Sequence, residues 1–249
     1  MRWWFFVLTG CLAYLFTLVA YLPIQHVVYQ LGPSDLPLSI GQINGTIWHG
    51  EVDQVSYRNV PLGPATWRFS PLGLLQGEIE YAIELNHPDH SLNGYIAKEL
   101  LADGFRLSEV KGRLPTDSLL KLSDQANLSL LGELVLDLRE LQISHRQIVS
   151  ALGEIHWLDA GVERPVRADI GNLQFNLSGD EQAFKSTIKE LDGPLQVNGE
   201  FSLLPNGSYH LQGKIKGNNG ADQGLISLLQ SIGRTLNDGS IQIDYAGQL

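Results

Sequence analysis

His87, Asp89 and His90 are the residues of this sequence whose types and spacing come closest to a metal site. Two imidazoles and one carboxylate in a turn offer three ligands of kinds that zinc binds, but a structural zinc site has four ligands. The single cysteine, Cys11, lies far away in the chain and adds no thiolate to this turn. We therefore interpret residues 87–90 as a polar turn and expect no bound metal.

The carboxylates of the stretch GEIEYAIEL (77–85) are candidates for a general acid and base. Glu78, Glu80 and Glu84 alternate there with apolar residues. Because successive side chains of a strand point to opposite faces, this alternation is typical of one apolar face and one face in water. Catalytic carboxylates need a defined separation across a substrate. The pattern predicts a polar strand face and no such pair.

Sequence motifs of enzymes are missing from the chain. It has no phosphate-binding glycine loop, Rossmann fingerprint, Gly-x-Ser-x-Gly elbow or His-Glu-x-x-His pair. A hydrolase would need a nucleophile held beside a base, and the sequence shows no arrangement of that kind. We expect a protein without enzymatic activity and without a cofactor.

The composition limits the classes of partner. The formal net charge is −10 over 249 residues. An acidic surface repels nucleic-acid phosphates and gains nothing from anionic headgroups. The hydrophobic fraction of 43% is enough for a sizeable core. With a single cysteine the chain forms no internal disulfide, so we expect burial and sheet hydrogen bonds to stabilise it.

The N-terminus contains an apolar segment that is long enough to cross a membrane. Residues 3–22 are almost wholly apolar, and a helix of about 20 apolar residues spans a bilayer core. Arg2 precedes this segment and no further Lys or Arg occurs before Arg58, which predicts a cytoplasmic N-terminus and a translocated remainder. Pro23 ends the helix. We predict a transmembrane anchor at 1–22, a periplasmic stalk at 23–40 and a periplasmic β domain at 41–249.

Two processing alternatives compete with an uncleaved anchor. A cleaved signal peptide needs small residues at its cleavage site, and Ala20-Tyr21-Leu22-Pro23 lacks the Ala-x-Ala pattern. The stretch Leu8-Thr9-Gly10-Cys11 looks like a lipoprotein processing site, but the apolar run continues well beyond it. The uncleaved anchor is the favoured interpretation.

The rest of the chain has the pattern of an all-β protein. Alternation of period two marks 77–85, 132–138, 194–204 and 240–247 as strands. Asn206-Gly207 supplies the positive φ angles of a tight turn, so 194–204 and 208–216 should pair as an antiparallel hairpin. Residues 180–191 fit either a short helix or a strand, and we favour a strand that leads into Asp192-Gly193.

Helical periodicity is limited to two stretches, 116–125 and 221–237. The second one aligns a stripe that could plug one end of a curled sheet or contact a partner, formed by Leu225, Leu228, Leu229, Ile232 and Leu236. Two short helices cannot cover so many half-apolar strands. We therefore predict a curled, mostly antiparallel sheet, half-barrel or sandwich-like, with one or two short helices.

A Gly-Glu-apolar step recurs five times, beginning at Gly50, Gly77, Gly132, Gly153 and Gly199. Glycine lets a sheet bend, so the repeat indicates one structural solution used along a long, curved sheet. Trp48 lies between Gly45 and Gly50. We expect its ring to cover the backbone that these glycines leave bare.

Several short motifs follow one another along the chain. They are GTIWHG (45–50), WRFSP (67–71), LLQGE (74–78), GRLP (112–115), GEL (132–134), GEIHW (153–157) and the turn PNG (205–207). In this order the chain resembles the type II secretion system protein N family. The residues that carry the resemblance, as family-motif or structural positions, are Gly45, Trp48, Gly50, Trp67, Pro71, Gly77, Gly132, Gly153, Trp157, Gly199, Asn206 and Gly207.

The resemblance implies a non-enzymatic inner-membrane component of the machine that exports folded proteins across the outer membrane. Its expected partners are other inner-membrane or periplasmic components of that machine, and it implies no catalytic residues. The family also looks distantly similar to AsmA-like proteins, whose curled sheets handle lipid. An apolar-ligand or lipid-binding module at the inner membrane is therefore the alternative function.

Overall fold

The computed structural model describes residues 3–25, 38–58, 60–100, 104–117, 129–144, 147–164, 167–180, 182–218 and 220–248. The chain begins with helix α1 (Trp3–Ala20), and several of its aromatic side chains, such as Trp3 and Trp4, are exposed. Among the described helices, none has both the length and the apolar content that crossing a membrane requires. The predicted span at 1–22 stays a prediction.

The described residues after α1 form one fifteen-stranded sheet in which every pairing is antiparallel. This confirms the all-β prediction and its mostly antiparallel sheet. The strands are β1 (Leu38–Ile40), β2 (Ile43–Gly45), β3 (His49–Tyr57), β4 (Val60–Ser70), β5 (Glu78–His87), β6 (His90–Glu99), β7 (Phe105–Pro115), β8 (Ser129–Ser144), β9 (Gln147–Arg164), β10 (Ala168–Asp180), β11 (Ala183–Asp192), β12 (Leu195–Leu203), β13 (Ser208–Gly217), β14 (Arg234–Thr235) and β15 (Ile241–Gln248).

The sheet is a meander, in which each strand from β3 to β12 pairs with the next strand of the chain, and β13 pairs with β15. Short turns suffice for such a topology because successive antiparallel strands are neighbours. At the first edge, β1 and β2 both pair with β3, and at the last edge β14 pairs with β15. The two edges do not join, so the sheet is curled but not closed. β1 lies within the predicted stalk, and the predicted strand at 180–191 is present as β11.

One face of the sheet is apolar along its length because the apolar positions of neighbouring strands fall opposite one another. The alternating positions carry polar groups, such as Asp137 opposite Glu154. In a single-layer sheet an apolar side chain is covered by its neighbours in the same layer but not from above. Most apolar side chains of this face are therefore half-buried. Cross-strand pairs on the apolar face include Trp67 and Ile83, Leu136 and Ile155, and Phe175 and Ile188.

The buried cluster lies where helix α2 (Gln223–Ile232) packs on the sheet. Ala168, Leu195 and Leu225 are 6%, 2% and 5% exposed there. Leu195 begins β12 and Ala168 begins β10, so α2 covers the sheet end that contains the β9–β10 and β11–β12 turns. The helix thus folds back onto one end of the sheet.

Helix α2 is shorter than the predicted 221–237, because it ends at Ile232 and Gly233 follows as its C-cap. The predicted stripe is therefore divided. Leu225 is buried, Leu228 is half-buried, Leu229 packs against the buried cluster, Ile232 is 66% exposed, and Leu236 lies beyond the helix. Ile226, which the stripe did not include, also packs on the cluster. The other predicted helix, at 116–125, falls mostly outside the described residues.

Register breaks line up across β8, β9 and β10. Gly132, Asp159 and Gly171 have φ angles of 103°, 49° and 99°, and the strand pairing shifts beside each of them. A bulge adds a residue to one strand and increases its bend and twist. Bulges on three neighbouring strands therefore crease the sheet and contribute to its curl.

The five Gly-Glu-apolar steps do not share one conformation, which corrects the prediction of one reused solution. Gly77 adopts the left-handed conformation, with a φ of 77°, as the cap of a 3-10 helix. Gly132 and Gly153 have positive φ angles of 103° and 152° within strands. Gly50 and Gly199 have no positive φ. Close approach of a neighbour constrains Gly50, whereas a Cβ added at Gly199 would come no nearer than 3.3 Å, to the Gln212 carbonyl oxygen.

Candidate functional site

Six of the twelve motif residues gather at one corner of the sheet. Gly45 ends β2, Trp48 lies in the β2–β3 turn, and Gly50 is in β3. Trp67 is opposite Gly50 on β4, and Pro71 and Gly77 bound the β4–β5 turn. The other six lie on β8 and β9, or on β12 and the turn after it. The structure therefore brings the first half of the motif together and separates the rest into two further places.

Trp67 is the aromatic residue that covers Gly50. A Cβ added to Gly50 would collide with the Trp67 ring and with the Asn44 carbonyl. The indole Nε1 donates a hydrogen bond to the Thr46 carbonyl oxygen at 3.1 Å, across the β2–β3 turn. This corrects the expectation that Trp48 covers the glycine.

Trp48 packs elsewhere, in a row of aromatic rings. Its ring meets Phe69 edge to face with 4.9 Å between centroids, and Phe69 meets Tyr81 at 5.5 Å. The Trp48 carbonyl also accepts a hydrogen bond from the Phe69 amide at 2.7 Å. Burial raises the pKa of the Tyr81 phenol. The row joins the β2–β3 turn to β4 and β5.

The chain that links α1 to the sheet is bonded to this same corner. The Ile47 amide donates to the Leu22 carbonyl oxygen at 3.1 Å, and Pro23 and Thr46 form an isolated antiparallel bridge. The Gln25 side-chain Nε2 donates to the Ile43 carbonyl oxygen at 2.8 Å. Helix α1 therefore leaves the sheet beside the β2–β3 turn.

The β4–β5 turn contains a 3-10 helix, Gly73–Gln76, that sequence reasoning missed. Gly73 is buried against β5, where an added Cβ would crowd Glu80. The leucines around it point outward, since Leu72, Leu74 and Leu75 are 68%, 49% and 85% exposed. Three leucines between Pro71 and Gly77 were a signal in the sequence, but a run this short has no diagnostic period.

A second tryptophan repeats the arrangement of Trp67 on β9. The Trp157 Nε1 donates to the Leu131 carbonyl oxygen at 2.9 Å, one residue before the positive-φ Gly132. Trp157 pairs with Leu134 on one side and Leu173 on the other. The indole thus joins β9 to β8 beside the register shift at Gly132.

The turn at Asn206-Gly207 is present as predicted, although Gly207 has a positive φ and Asn206 does not. Gly207 has a φ of 82°, and its amide donates to the Leu204 carbonyl oxygen at 2.9 Å. The Asn206 Oδ1 accepts from the Ser208 amide, also at 2.9 Å. β12 and β13 pair directly on either side of the turn, with Gly199 opposite Gly213. The predicted hairpin is present.

The sequence predicted that Glu78 lies on a face in water, but the structure buries it. It is 7% exposed and forms an ion pair with Arg106 of β7. Glu99 lies opposite Glu78 and accepts a hydrogen bond from Gln142 at 3.4 Å. A buried carboxylate that is held by a guanidinium is a structural contact here, because no nucleophile or second acid is bonded to it among the described residues.

The histidine turn closes the β5–β6 hairpin. The His87 and His90 rings stack with 4.3 Å between centroids, and the His90 Nε2 lies 3.0 Å from the Leu62 carbonyl oxygen. The Asp89 amide donates to the His87 Nδ1 at 3.2 Å. In the described part of the chain no group of three or more His, Cys, Asp or Glu residues could hold a metal ion.

Shallow hollows lie on the polar face, where glycines leave gaps between side chains. One of about 470 Å³ lies beside Gly50 and is lined by Glu51, Arg68 and Glu84, among others. These side chains come from regular alternating positions of β3, β4 and β5, so the hollow is a consequence of the sheet pattern. Of the three carboxylates that the sequence singled out, it contains Glu84 but neither Glu78 nor Glu80.

Comparison with known proteins decides the family. The family model described as type II secretion system (T2SS), protein N, matches residues 37–244. The chain belongs to the type II secretion system protein N family. The resemblance in the sequence is thereby confirmed, and the match includes every strand from β1 to β14 and the first half of β15.

The type II secretion system protein N of Aeromonas hydrophila is 23% identical over 251 residues, which cover 95% of both chains. The protein of the same name from Vibrio cholerae is 27% identical over 207 residues, covering 78% of this chain and 79% of the relative. The one from Klebsiella pneumoniae is 26% identical over 251 residues, or 94% and 92%. No solved structure matches the chain.

Membership of the protein N family makes this chain a component of type II secretion. The comparisons lend no support to the alternative of an AsmA-like lipid-binding module. The roles of the twelve motif residues stay predictions, for which the corner around Trp67 and Gly50 supplies a physical basis.

Proposed function

We propose that this protein is a non-enzymatic accessory component of the type II secretion system, held at the inner membrane with its β domain in the periplasm. There it supports the export of folded proteins across the outer membrane. The observation that carries the proposal is the family match, which covers residues 37–244 and therefore nearly the whole sheet. A domain matched over its full length is expected to share the role of its relatives.

The N-terminal helix supports the membrane attachment. It contains no charged residue, and its large side chains are exposed, with Trp4 at 84% and Phe6 at 74%. Apolar surface of that extent in one helix calls for a cover of lipid or protein. Arg2 before it and the stretch without Lys or Arg up to Arg58 favour a cytoplasmic N-terminus.

The open sheet supports a role in binding partners. The sheet is a single curled layer that does not close. Its apolar face therefore stays open to a partner along much of its length. We assign a catalytic role to no residue. Of the three carboxylates that the sequence singled out, Glu78 forms an ion pair with Arg106. The partners we propose are other inner-membrane or periplasmic components of the secretion machine.

Deletion of the gene followed by complementation tests the function. We expect export of type II substrates to fall in the deletion strain and to return with the full chain. A chain that begins at Leu22 behind a cleavable signal peptide separates the role of the helix from that of the sheet. Normal export in the deletion strain would contradict the proposal.

Attachment and orientation are tested on the same strain. The full chain should stay with the inner membrane after an alkaline wash, and a reporter active only in the periplasm should be active when fused after Leu249. A cytoplasmic reporter signal would reverse the orientation. A mature protein without residues 1–22 would mean that the segment is a signal peptide.

A further inference from the structure

We infer that the β4–β5 turn and the residue beside it form a second membrane contact, which inserts into the lipid headgroup layer next to the anchor. This rests on the proposed attachment through α1. The contact, called here the leucine rim, consists of Leu72, Leu74, Leu75 and Leu100. These side chains are 68%, 49%, 85% and 56% exposed.

The four residues of the leucine rim lie at the same edge of the sheet. The Leu100 amide donates a hydrogen bond to the Gly77 carbonyl oxygen at 3.0 Å, which fixes the end of β6 beside the β4–β5 turn. The turn itself, Pro71 to Gly77, contains no charged residue. Exposed apolar patches without charges are typical of contact sites, and single scattered leucines are not.

The rim lies at the same end of the sheet as the exit of α1. The Ile47 amide is bonded to the Leu22 carbonyl, and the Trp48 carbonyl next to it is bonded to the Phe69 amide. Leu72 follows Phe69 by three residues, a span of at most about 10 Å. The headgroup layer is about 5–8 Å thick on each side of the core, so an anchor that ends near Leu22 brings the rim to it.

The two ends of the sheet differ in the described turns. Beyond the rim, the end near α1 also presents Phe105 and Leu204, which are 47% and 45% exposed. At the opposite end Leu191 and Ile232 are also exposed, at 52% and 66%, but the turns of the strands next to the rim, β3–β4 and β5–β6, present Arg58 and Asp89. Lipid is favoured over a protein partner because the uncharged β4–β5 turn, with its three exposed leucines, lies at the end where the apolar helix α1 joins the sheet.

The chain's net charge of −10 does not oppose this contact. Electrostatic attraction to anionic lipid is excluded by that charge, but the transfer of leucine from water to an apolar layer needs no charge complementarity. Interfacial segments with apolar side chains bind by buried apolar area as well as by charge. We therefore expect insertion to be insensitive to the anionic lipid content.

Site-specific fluorescence on the full chain in vesicles tests the inference. In a Cys11→Ala background, an environment-sensitive dye is attached to Leu75→Cys and, in a matched control, to Leu191→Cys. Leu191 is 52% exposed at the end of β11, at the opposite end of the sheet. The vesicles contain phosphatidylcholine and phosphatidylglycerol in varied ratio, with or without spin-labelled lipid.

We expect the dye at position 75 to shift to shorter wavelength and to be quenched by spin-labelled lipid, and the dye at position 191 to show neither effect. Vesicle-bound protein with no quenching at position 75 would overturn the leucine rim and leave the anchor intact. Equal quenching at both positions would mean that the domain lies flat on the bilayer, which also overturns it. A chain that does not float with vesicles would refute both the attachment and the rim.

Protection of position 75 in native inner-membrane vesicles, without quenching in pure lipid, would indicate a protein partner and would equally overturn the inference. The dye is expected not to disturb folding, since Leu75 is 85% exposed. A thermal unfolding curve of the labelled protein that matches the unlabelled one checks this.

Discussion

The indole ring of Trp67 lies over Gly50, its partner on the neighbouring strand, and closes the gap that the missing side chain leaves. Aromatic residues opposite glycine restore apolar contact that a glycine-containing strand lacks. The same ring bonds through Nε1 to the Thr46 carbonyl oxygen at 3.1 Å. Trp67 thereby connects β4 to the β2–β3 turn, to which the segment after α1 is hydrogen-bonded.

This relationship predicts unequal effects of adding one methyl group. In Gly50→Ala the Cβ would collide with the Trp67 ring, so we expect the free energy of unfolding to fall by about 1–3 kcal/mol, as for other overpacked sites. At Gly213 an added Cβ would meet the Asn198 carbonyl oxygen at 3.3 Å and otherwise little. Gly213→Ala should be neutral within about 1 kcal/mol. Equal losses in denaturant unfolding of the two variants would disprove the role of Trp67.

A second prediction concerns the ion pair of Glu78 and Arg106. Arg106→Met leaves a carboxylate that is 7% exposed without its cation, which should cost about 3 kcal/mol or more. Adding Glu78→Met should recover most of that loss, because both charges are then removed.

The exposed pair of Arg113 and Glu133, at 3.3 Å, is the control for this experiment. Arg113→Met should change the free energy of unfolding by no more than about 1 kcal/mol, as for other surface ion pairs. Similar costs for Arg106→Met and Arg113→Met would show that burial does not matter at Glu78.

The third prediction distinguishes the two sides of α2. Leu225 is 5% exposed in the buried cluster and Ile232 is 66% exposed on the same helix. Leu225→Ala should lower the free energy of unfolding by about 2–4 kcal/mol. Ile232→Ala should change it by less than about 0.5 kcal/mol. If Ile232→Ala, although stable, reduced secretion in the complementation assay, the exposed side of α2 would be a partner contact.

The fourth prediction is a dependence on acid. Lys214, at 2.7 Å, and the hydrogen bonds from Ser240 hold the pKa of Asp238 well below its usual 3.8. A carboxylate with a depressed folded-state pKa stabilises the fold above its unfolded pKa, and this stability is lost as the pH falls towards the folded value. Asp238→Asn should therefore flatten the decrease of unfolding free energy below about pH 4.

Lys214→Gln serves as the intermediate case, because the Ser240 bonds to Asp238 remain. Its acid dependence should lie between those of the parent protein and Asp238→Asn. Chemical unfolding at a series of pH values measures all three. Identical slopes in the three proteins would show that this turn does not contribute to acid sensitivity.

Sequence patterns of short range predicted what depends on neighbours in the chain. The alternation in 132–138 and 194–204 indicated strands because side chains of a strand alternate whatever the strand pairs with. Asn206-Gly207 predicted a hairpin because its φ angles are a local preference. The same locality explains the error in α2, where the periodic leucine Leu236 lies past Gly233, which ends the helix.

Contacts between distant strands were beyond such patterns. The sequence placed Trp48 over Gly50, because the two are close in the chain, whereas the ring over Gly50 comes from residue 67. Glu78 alternates like any solvated glutamate, and only its approach to Arg106, 28 residues later, makes it a buried ion pair. An alternating pattern gives the side of the sheet but not what covers it.

The sequence by itself determined an all-β chain with an apolar N-terminal helix and its family, since composition, period and motif order are properties of the chain in one dimension. The tertiary structure decided that the sheet stays open, that bulges at Gly132, Asp159 and Gly171 crease it, and that α1 leaves beside an exposed leucine turn. These features arise from register and packing between strands, and register is fixed only when every strand has its neighbours.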